Sequence, residues 1–371
     1  MWPFRRRTKD RALWNVGDVP VAATWSGVPV TPDSALRLAA VWSCVQLLAG
    51  SVSTLPVDVY RAGEREPLPT PPLLRQPAAR TPLPDFLHAA MVSLLTTGNS
   101  YGVITARSGA TMLPSQVELV HPDRVGWQLD PDQRTVTWRL DGSEIDREEL
   151  WHVKGFSLPG SPEGLSPIQY MRQGIGLAAA AEQYGARLFG SGSLMGGVLQ
   201  TDAELDEPKA TELKARWHAK VAGLGHAHEV AVLDSGAKFV PITLSPQDSQ
   251  LLDSRKFSVL EICRVFGVPP ELVAAASGDS MTYANIEGRD LSFLKYSMAP
   301  WLVRLETGLT DLLPRNTYAK FNTGALLRTD LRTRYESYKL GLEGGWLTLD
   351  EIRELEDRPP LPTTEPEEAA A

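Results

Sequence analysis

Cysteine is nearly absent. Only Cys44 and Cys263 occur, each inside an apolar pattern, so two buried free thiols in a reducing compartment are expected in preference to a disulfide. Long apolar runs are missing as well. The longest, Leu38 to Gly50, is broken by Ser43, Cys44 and Gln46 and is too short to cross a bilayer. The basic start MWPFRRRTKDR leads into Leu13 to Val19, which Asn, Gly and Asp interrupt, so neither a signal-peptide core nor a membrane span is read there. No membrane association is expected. Positive charge is in deficit: Lys plus Arg number 37 against 45 Asp plus Glu, a net charge of -8, which excludes tight wrapping of nucleic acid and leaves only loose or local DNA contact.

Catalytic signatures are lacking too. No G-x-x-x-x-G-K-[ST] phosphate loop occurs, so the chain itself is not expected to hydrolyse ATP. Gly174, Gly176 and Ala179 match G-x-G-x-x-A in letters, but they fall inside a helical pattern instead of a strand-to-helix turn. Ser157 in GFSLPG misses the nucleophile-elbow spacing by one residue. His226 and His228 flank one residue in a glycine-rich turn, without a Cys or third His at ligand spacing. His88, His121, His152 and His218 are scattered, and Glu148-Glu149 and Glu367-Glu368 read as solvated turn or tail charge. No catalytic, cofactor-binding or metal residue is assigned. An uncharacterised hydrolase or metal-dependent enzyme stands as the alternative, centred on His226 and His228.

What is present is a chain of 371 residues with 43% hydrophobic content, enough for a sizeable core divided over two or three regions. From Asp33 or Ser34 a helix carries Leu36, Leu38, Val41, Trp42, Val45 and Leu48, and Leu55 to Arg61 alternates like a strand. After the proline-rich connector Pro67 to Pro84, Asp85 to Thr97 repeats the helix and Ser100 to Arg107 the strand. Val117 to Val120, Gly126 to Leu129, Thr135 to Leu140 and Leu150 to Val153 read as a small antiparallel meander. Ser166-Pro167-Ile168-Gln169 then opens a helix to about Phe189. Its Gly174, Gly176, Ala178 to Ala181, Gly185 and Ala186 suit close helix packing, either within a bundle core or between subunits. A mixed excursion from Ser193 to Leu244 follows, with strands at Gly197 to Leu199, Glu229 to Leu233 and Lys238 to Ile242 and a helix from Glu207 to Val221.

The most informative stretch runs from Ser245 to Leu313. Ser245 suits an N-cap and Pro246 the first helical position; Gly267, Pro269 and Pro270 stop the helix after Phe266. Val268 to Thr282 is a loop with a polar tip at Ser277, Gly278, Asp279 and Ser280, and Tyr283 to Leu313 resumes helical spacing with Pro300 inside as an expected kink.

The motifs VFGVPPELV (Val265 to Val273), TYANIE (Thr282 to Glu287) leading to Pro300, TGNSY (Thr97 to Tyr101), HPDRV (His121 to Val125), WHVK (Trp151 to Lys154) and GLSPI (Gly164 to Ile168) follow one another in a set order. With the element order around them the chain resembles the portal proteins of tailed bacteriophages, most of all the compact type of long-tailed phages and phage-derived gene transfer particles. The resemblance covers most of Leu36 to Leu331.

It implies an α+β portal fold and a homo-oligomeric ring, usually a dodecamer, at one head vertex of a virion assembled in the host cytoplasm. Such a ring serves DNA packaging and ejection. Its implied partners are the terminase packaging motor, a head-tail adaptor, the major capsid protein and double-stranded DNA in the channel, with no cofactor. Carried onto this chain it gives a basic N-terminal arm (1–32), an N-terminal wing (33–165), a first stem helix (166–192), a clip (193–245), a second stem helix (246–267), a tunnel loop (268–282), a kinked wing helix with the following segment (283–323), a small crown (324–358) and a disordered tail (359–371). Gly267, Pro269 and Pro270 are then the loop hinge and Pro300 the helix kink. Ser277, Asp279, Ser280 and Thr282 are DNA-channel candidates, able to touch a phosphate backbone without gripping it. Arg255, Lys256 and Arg264 are candidates for a positive ring, against the competing reading of a solvated face or an inter-subunit salt bridge.

Overall fold

The computed structural model describes residues 24–64, 66–129, 135–190, 197–200, 238–241, 257–273, 283–325, 331–356, 358–359 and 361, together with 206, 208, 211 and 215. Two helices carry the centre of the main core. Helix α2 (Ala39–Ser53) buries Val41, Cys44, Val45, Leu48, Ala49 and Val52, a stripe at helical spacing. Helix α4 (Leu83–Thr97) buries Phe86, Leu87, Ala90, Met91, Leu94 and Leu95 against it and stops at Gly98, whose φ of 79° is the left-handed conformation that favours glycine.

The first predicted helix is divided. A short α1 (Pro32–Leu36) is closed by a reciprocal Thr31/Ser34 capping box, and α2 starts only after Leu38, whose backbone is extended (ψ 123°) while its side chain is buried. Turning Leu38 inward breaks the helix. Pro32 belongs to α1 and Thr24 is buried, so the last residues of the segment assigned to the arm are part of the folded body.

The predicted meander also needs correction. Strand β3 (Asn99–Arg107) pairs antiparallel with β4 (Pro114–Val120) on one side and β8 (Leu150–Lys154) on the other, while β5 (Val125–Leu129), β6 (Val136–Leu140) and β7 (Ser143–Ile145) form a separate three-stranded sheet. The first four residues of β3 are all buried, so this strand takes a partner on each edge, and a true meander is left only in β5 to β7. A second, smaller core of Tyr101, Val125, Trp138 and Leu150 joins the two sheets. The proline-rich connector holds β2 (Pro67–Leu68) and the one-turn α3 (Pro72–Arg75).

The first stem candidate is two helices. Ser166 caps α5 (Pro167–Tyr170) by accepting the Gln169 N–H at 3.2 Å, and α6 (Arg172–Gly190) resumes after Met171, which leaves helical geometry at ψ 15°. Of the excursion, β9 (Gly197–Gln200) and β10 (Lys238–Pro241) are described as an antiparallel pair. Helix α7 covers 257–266. A 3-10 turn (Pro270–Val273) follows, then α8 (Tyr283–Ser292), a π-helical segment (Phe293–Met298) and α9 (Ala299–Thr310). Strand β11 (Thr317–Phe321) returns to pair with β1 (Val57–Arg61), giving a sheet ordered β11-β1-β2. Helices α10 (Leu331–Glu343) and α11 (Leu349–Leu355) end the described chain as a hairpin, joined by Arg334 to Glu356 at 2.9 Å and by Tyr338 Oη donating to Glu356 at 3.0 Å.

Candidate functional site

The loop candidate is anchored at both described ends. At its entry, α7 buries Ile262, Cys263 and Phe266 in the main core. Gly267, at φ +65°, lets the chain reverse; the Val268 N–H donates to the Cys263 carbonyl at 2.9 Å, and Val268 is buried. Pro269 and Pro270 cannot extend the helix, and Pro270 opens the 3-10 turn, which packs against α2. The Cys44 thiol of α2 hydrogen-bonds Cys263 of α7; burial first, then that contact, pushes the Cys44 thiol up to about 12. Both thiols therefore stay protonated and act as apolar packing between α2 and α7.

At the exit, Ser297 Oγ, in the π-helical segment, donates to the Gly267 carbonyl at 2.5 Å. Arg289 of α8 reaches Glu271 of the 3-10 turn at 3.7 Å. Thus the helix after the loop holds the residues before it. Pro300 lies in the first turn of α9, directly after the π-helical segment, whose wider turn absorbs an irregular hydrogen-bond ladder. A cleft of about 300 Å³ lies beside this junction, lined among others by Arg264, Gly267, Ser292 and Tyr296. Arg264 is exposed, its guanidinium 6.0 Å from the Phe257 ring. Ser277, Asp279, Ser280, Thr282, Arg255 and Lys256 lie outside the described residues, as do His226 and His228.

A second junction directs α5 and α6. Asn99, at the start of β3, accepts the Gly164 N–H at 2.7 Å and donates to the Gly164 carbonyl at 2.9 Å, while His152 Nε2 lies 3.1 Å from the same Asn99 oxygen. Ser166, the α5 cap, donates to the Thr96 carbonyl at 2.7 Å. A Cβ on Gly164 would lie 2.2 Å from the Gly98 carbonyl oxygen, so the segments meet backbone to backbone. The motifs TGNSY, WHVK and GLSPI converge here. His152 stacks on Tyr101 at 4.2 Å and meets the Trp138 edge at 5.2 Å; burial, then the Arg147 and Lys154 charges, lowers its pKa to about 3. It is a neutral structural imidazole, not a proton-transfer group. Tyr101 donates to Glu163 at 2.9 Å, and burial followed by that carboxylate holds its phenol protonated. Trp151 Nε1 donates to the Gly308 carbonyl at 2.7 Å, joining β8 to α9.

Neither junction carries catalytic chemistry. Among the described residues no group of three His, Cys, Asp or Glu side chains is arranged to hold a metal, and no helix is long and apolar enough to cross a membrane. Sequence reasoning missed Ser297, the Arg289–Glu271 pair and the Asn99 node. Asn99 lay inside a quoted motif, yet its partners come from segments far away in the chain, so no local pattern marks them.

Known proteins are similar to this chain in sequence and in fold. The family model described as phage portal protein matches residues 39–357. The chain is 34% identical to the probable portal protein of Streptomyces phage phiC31, over 95% of this chain and 80% of that protein. It is 28% identical to the portal protein of Enterobacteria phage HK97, over 90% and 81% respectively. Its fold is similar to an HK97-family phage portal protein from Corynebacterium diphtheriae (TM-score 0.58, 17% identity, 81% of this chain and 98% of that one). It is also similar to a chain in the neck of a native gene transfer agent particle reconstructed with C12 symmetry (TM-score 0.57, 20% identity, 89% and 94%).

Proposed function

This chain belongs to the phage portal protein family, and from that premise we propose that twelve copies form a ring at one head vertex, through which DNA enters during packaging and leaves on ejection. A portal is a structural component of the virion and not an enzyme, which removes the hydrolase or metal-enzyme alternative. In this proposal α5–α6 and α7 are the paired stem, the excursion between them is the clip that docks the terminase motor and later the head-tail adaptor, and the major capsid protein surrounds the ring. The loop 268–282 faces the DNA and the α10–α11 hairpin forms a small crown.

The observation that supports the loop assignment is the clasp across its base: Ser297 to Gly267 and Arg289 to Glu271 tie the segment after the loop to the segment before it, where Phe266 and Val268 are buried in the main core. With 37 basic against 45 acidic residues the chain does not grip phosphate strongly, and every inward cation is repeated by each subunit, so guidance is passive and a separate motor supplies the work. Negative-stain imaging of the purified protein tests the proposal. Rings with a central channel are expected; a monomer at every concentration and salt condition would overturn it.

A further inference from the structure

Trp25 is the most exposed large apolar side chain among the described residues, with 92% of its surface open, yet its turn is well held. Thr24 is buried against Gly176 of α6, where an added Cβ would come within 2.7 Å of the Thr24 methyl. Thr24 Oγ1 donates to the Val28 carbonyl at 2.7 Å, and the Gly27 N–H closes the turn on the Thr24 carbonyl at 2.8 Å. Trp25 itself donates its backbone N–H to Gln173 Oε1 at 3.0 Å. An ordered turn thus offers a bare indole to solvent. Rigid aromatic side chains presented this way are the usual anchors of protein interfaces.

The same subunit carries a complement. A groove of about 640 Å³ runs between α2 and α4, walled by Leu36, Val45, Ala89, Val92 and Leu119, with Trp42 half-exposed at its rim. Ser100 lies among its lining residues, and the Ser100 hydroxyl is buried without a hydrogen-bond partner. Indole has one donor and no acceptor, and a hydroxyl oxygen lacking a donor matches it. Trp25 is not among the residues lining this groove, so the subunit does not fill it with its own anchor.

A projecting anchor on one copy and a groove on the next make a head-to-tail contact, the kind that closes into a ring. We propose that Trp25 of each subunit inserts into the α2–α4 groove of the adjacent copy, with its Nε1–H directed to Ser100 Oγ. The proposal rests on the ring proposed above.

The test combines Trp25→Cys with Ala89→Cys in the full chain, followed by mild oxidation and a non-reducing denaturing gel. A ladder of covalent oligomers is expected, absent from either single variant; the native thiols are buried and do not compete. Rings visible by microscopy without a ladder, or a cross-link confined to the monomer, would overturn the contact while leaving the ring intact. Wild-type protein imaged in parallel separates the two: if it forms no rings, the ring itself fails. Independently, Trp25→Ala is expected to keep its circular dichroism spectrum and weaken subunit association by about thirty-fold or more, the effect of losing an interface hot spot. Unchanged association would reject the anchor.

Discussion

Lowering the pH should loosen the sheets around β3 and β8 through His152. Its pKa falls from 6.5 to about 3 in the folded chain because burial and two nearby cations oppose the imidazolium. The unfolded chain therefore binds the proton more readily, and folding stability is fully present above about pH 6.5 and lost as pH falls toward about 3. Between about pH 7 and pH 5 the loss from this one group comes to about 2 kcal/mol, a sizeable part of a typical folding free energy. His152→Gln isolates the effect, because the Gln amide can keep the donor to Asn99 and does not titrate. Urea denaturation of both proteins across that range gives the difference in pH slope. The wild type should lose stability more steeply than the variant, and parallel slopes would refute the assignment of a buried, neutral imidazole.

Three further outcomes follow from the geometry. Gly164→Ala places a Cβ 2.2 Å from the Gly98 carbonyl oxygen and should destabilise the chain by about 1–3 kcal/mol, read as a lower urea midpoint. Ser297→Ala removes the hydroxyl that reaches the Gly267 carbonyl and should cost about 1 kcal/mol, with faster amide exchange across 267–273 by mass spectrometry as its local signature. Deleting part of Ala274 to Asp279 should leave the subunit folded and ring-forming, checked by circular dichroism and imaging, while a packaging assay shows impaired DNA uptake or retention.

Local chemistry was readable and pairing was not. The spacing of Val41, Val45 and Leu48, the Gly98 stop, the Ser166 cap and the Gly267-x-Pro269-Pro270 break each act within one or two turns of chain, and their elements stand where those residues put them. Strand β11 was missed although Ala319 and Phe321 alternate inward in TYAKF, because its strand partner among the described residues, β1, precedes it by most of the chain. The meander failed for the same reason: four short strands in succession do not reveal that two of them share β3. Proline at 300 marked an irregularity, but the π-helical turn ahead of it, in which Ser297 and Met298 are buried, went unread. The loop junction was legible as a break in the chain, whereas the side chains that secure it come from α2, α8 and the π-helical segment.

The pairing of β1 with β11 also sets an order of events during synthesis. Some 250 residues separate the two strands, about 10–50 s of translation at ordinary rates. Throughout that interval one edge of β1 has no partner, and such an edge invites pairing with another chain. The segments proposed as stem, clip and loop are all made before the closing strand emerges, so a nascent subunit cannot offer a finished β11-β1-β2 sheet to its neighbours. Completion of that sheet thus reports that everything threaded between its first and last strands has already been made.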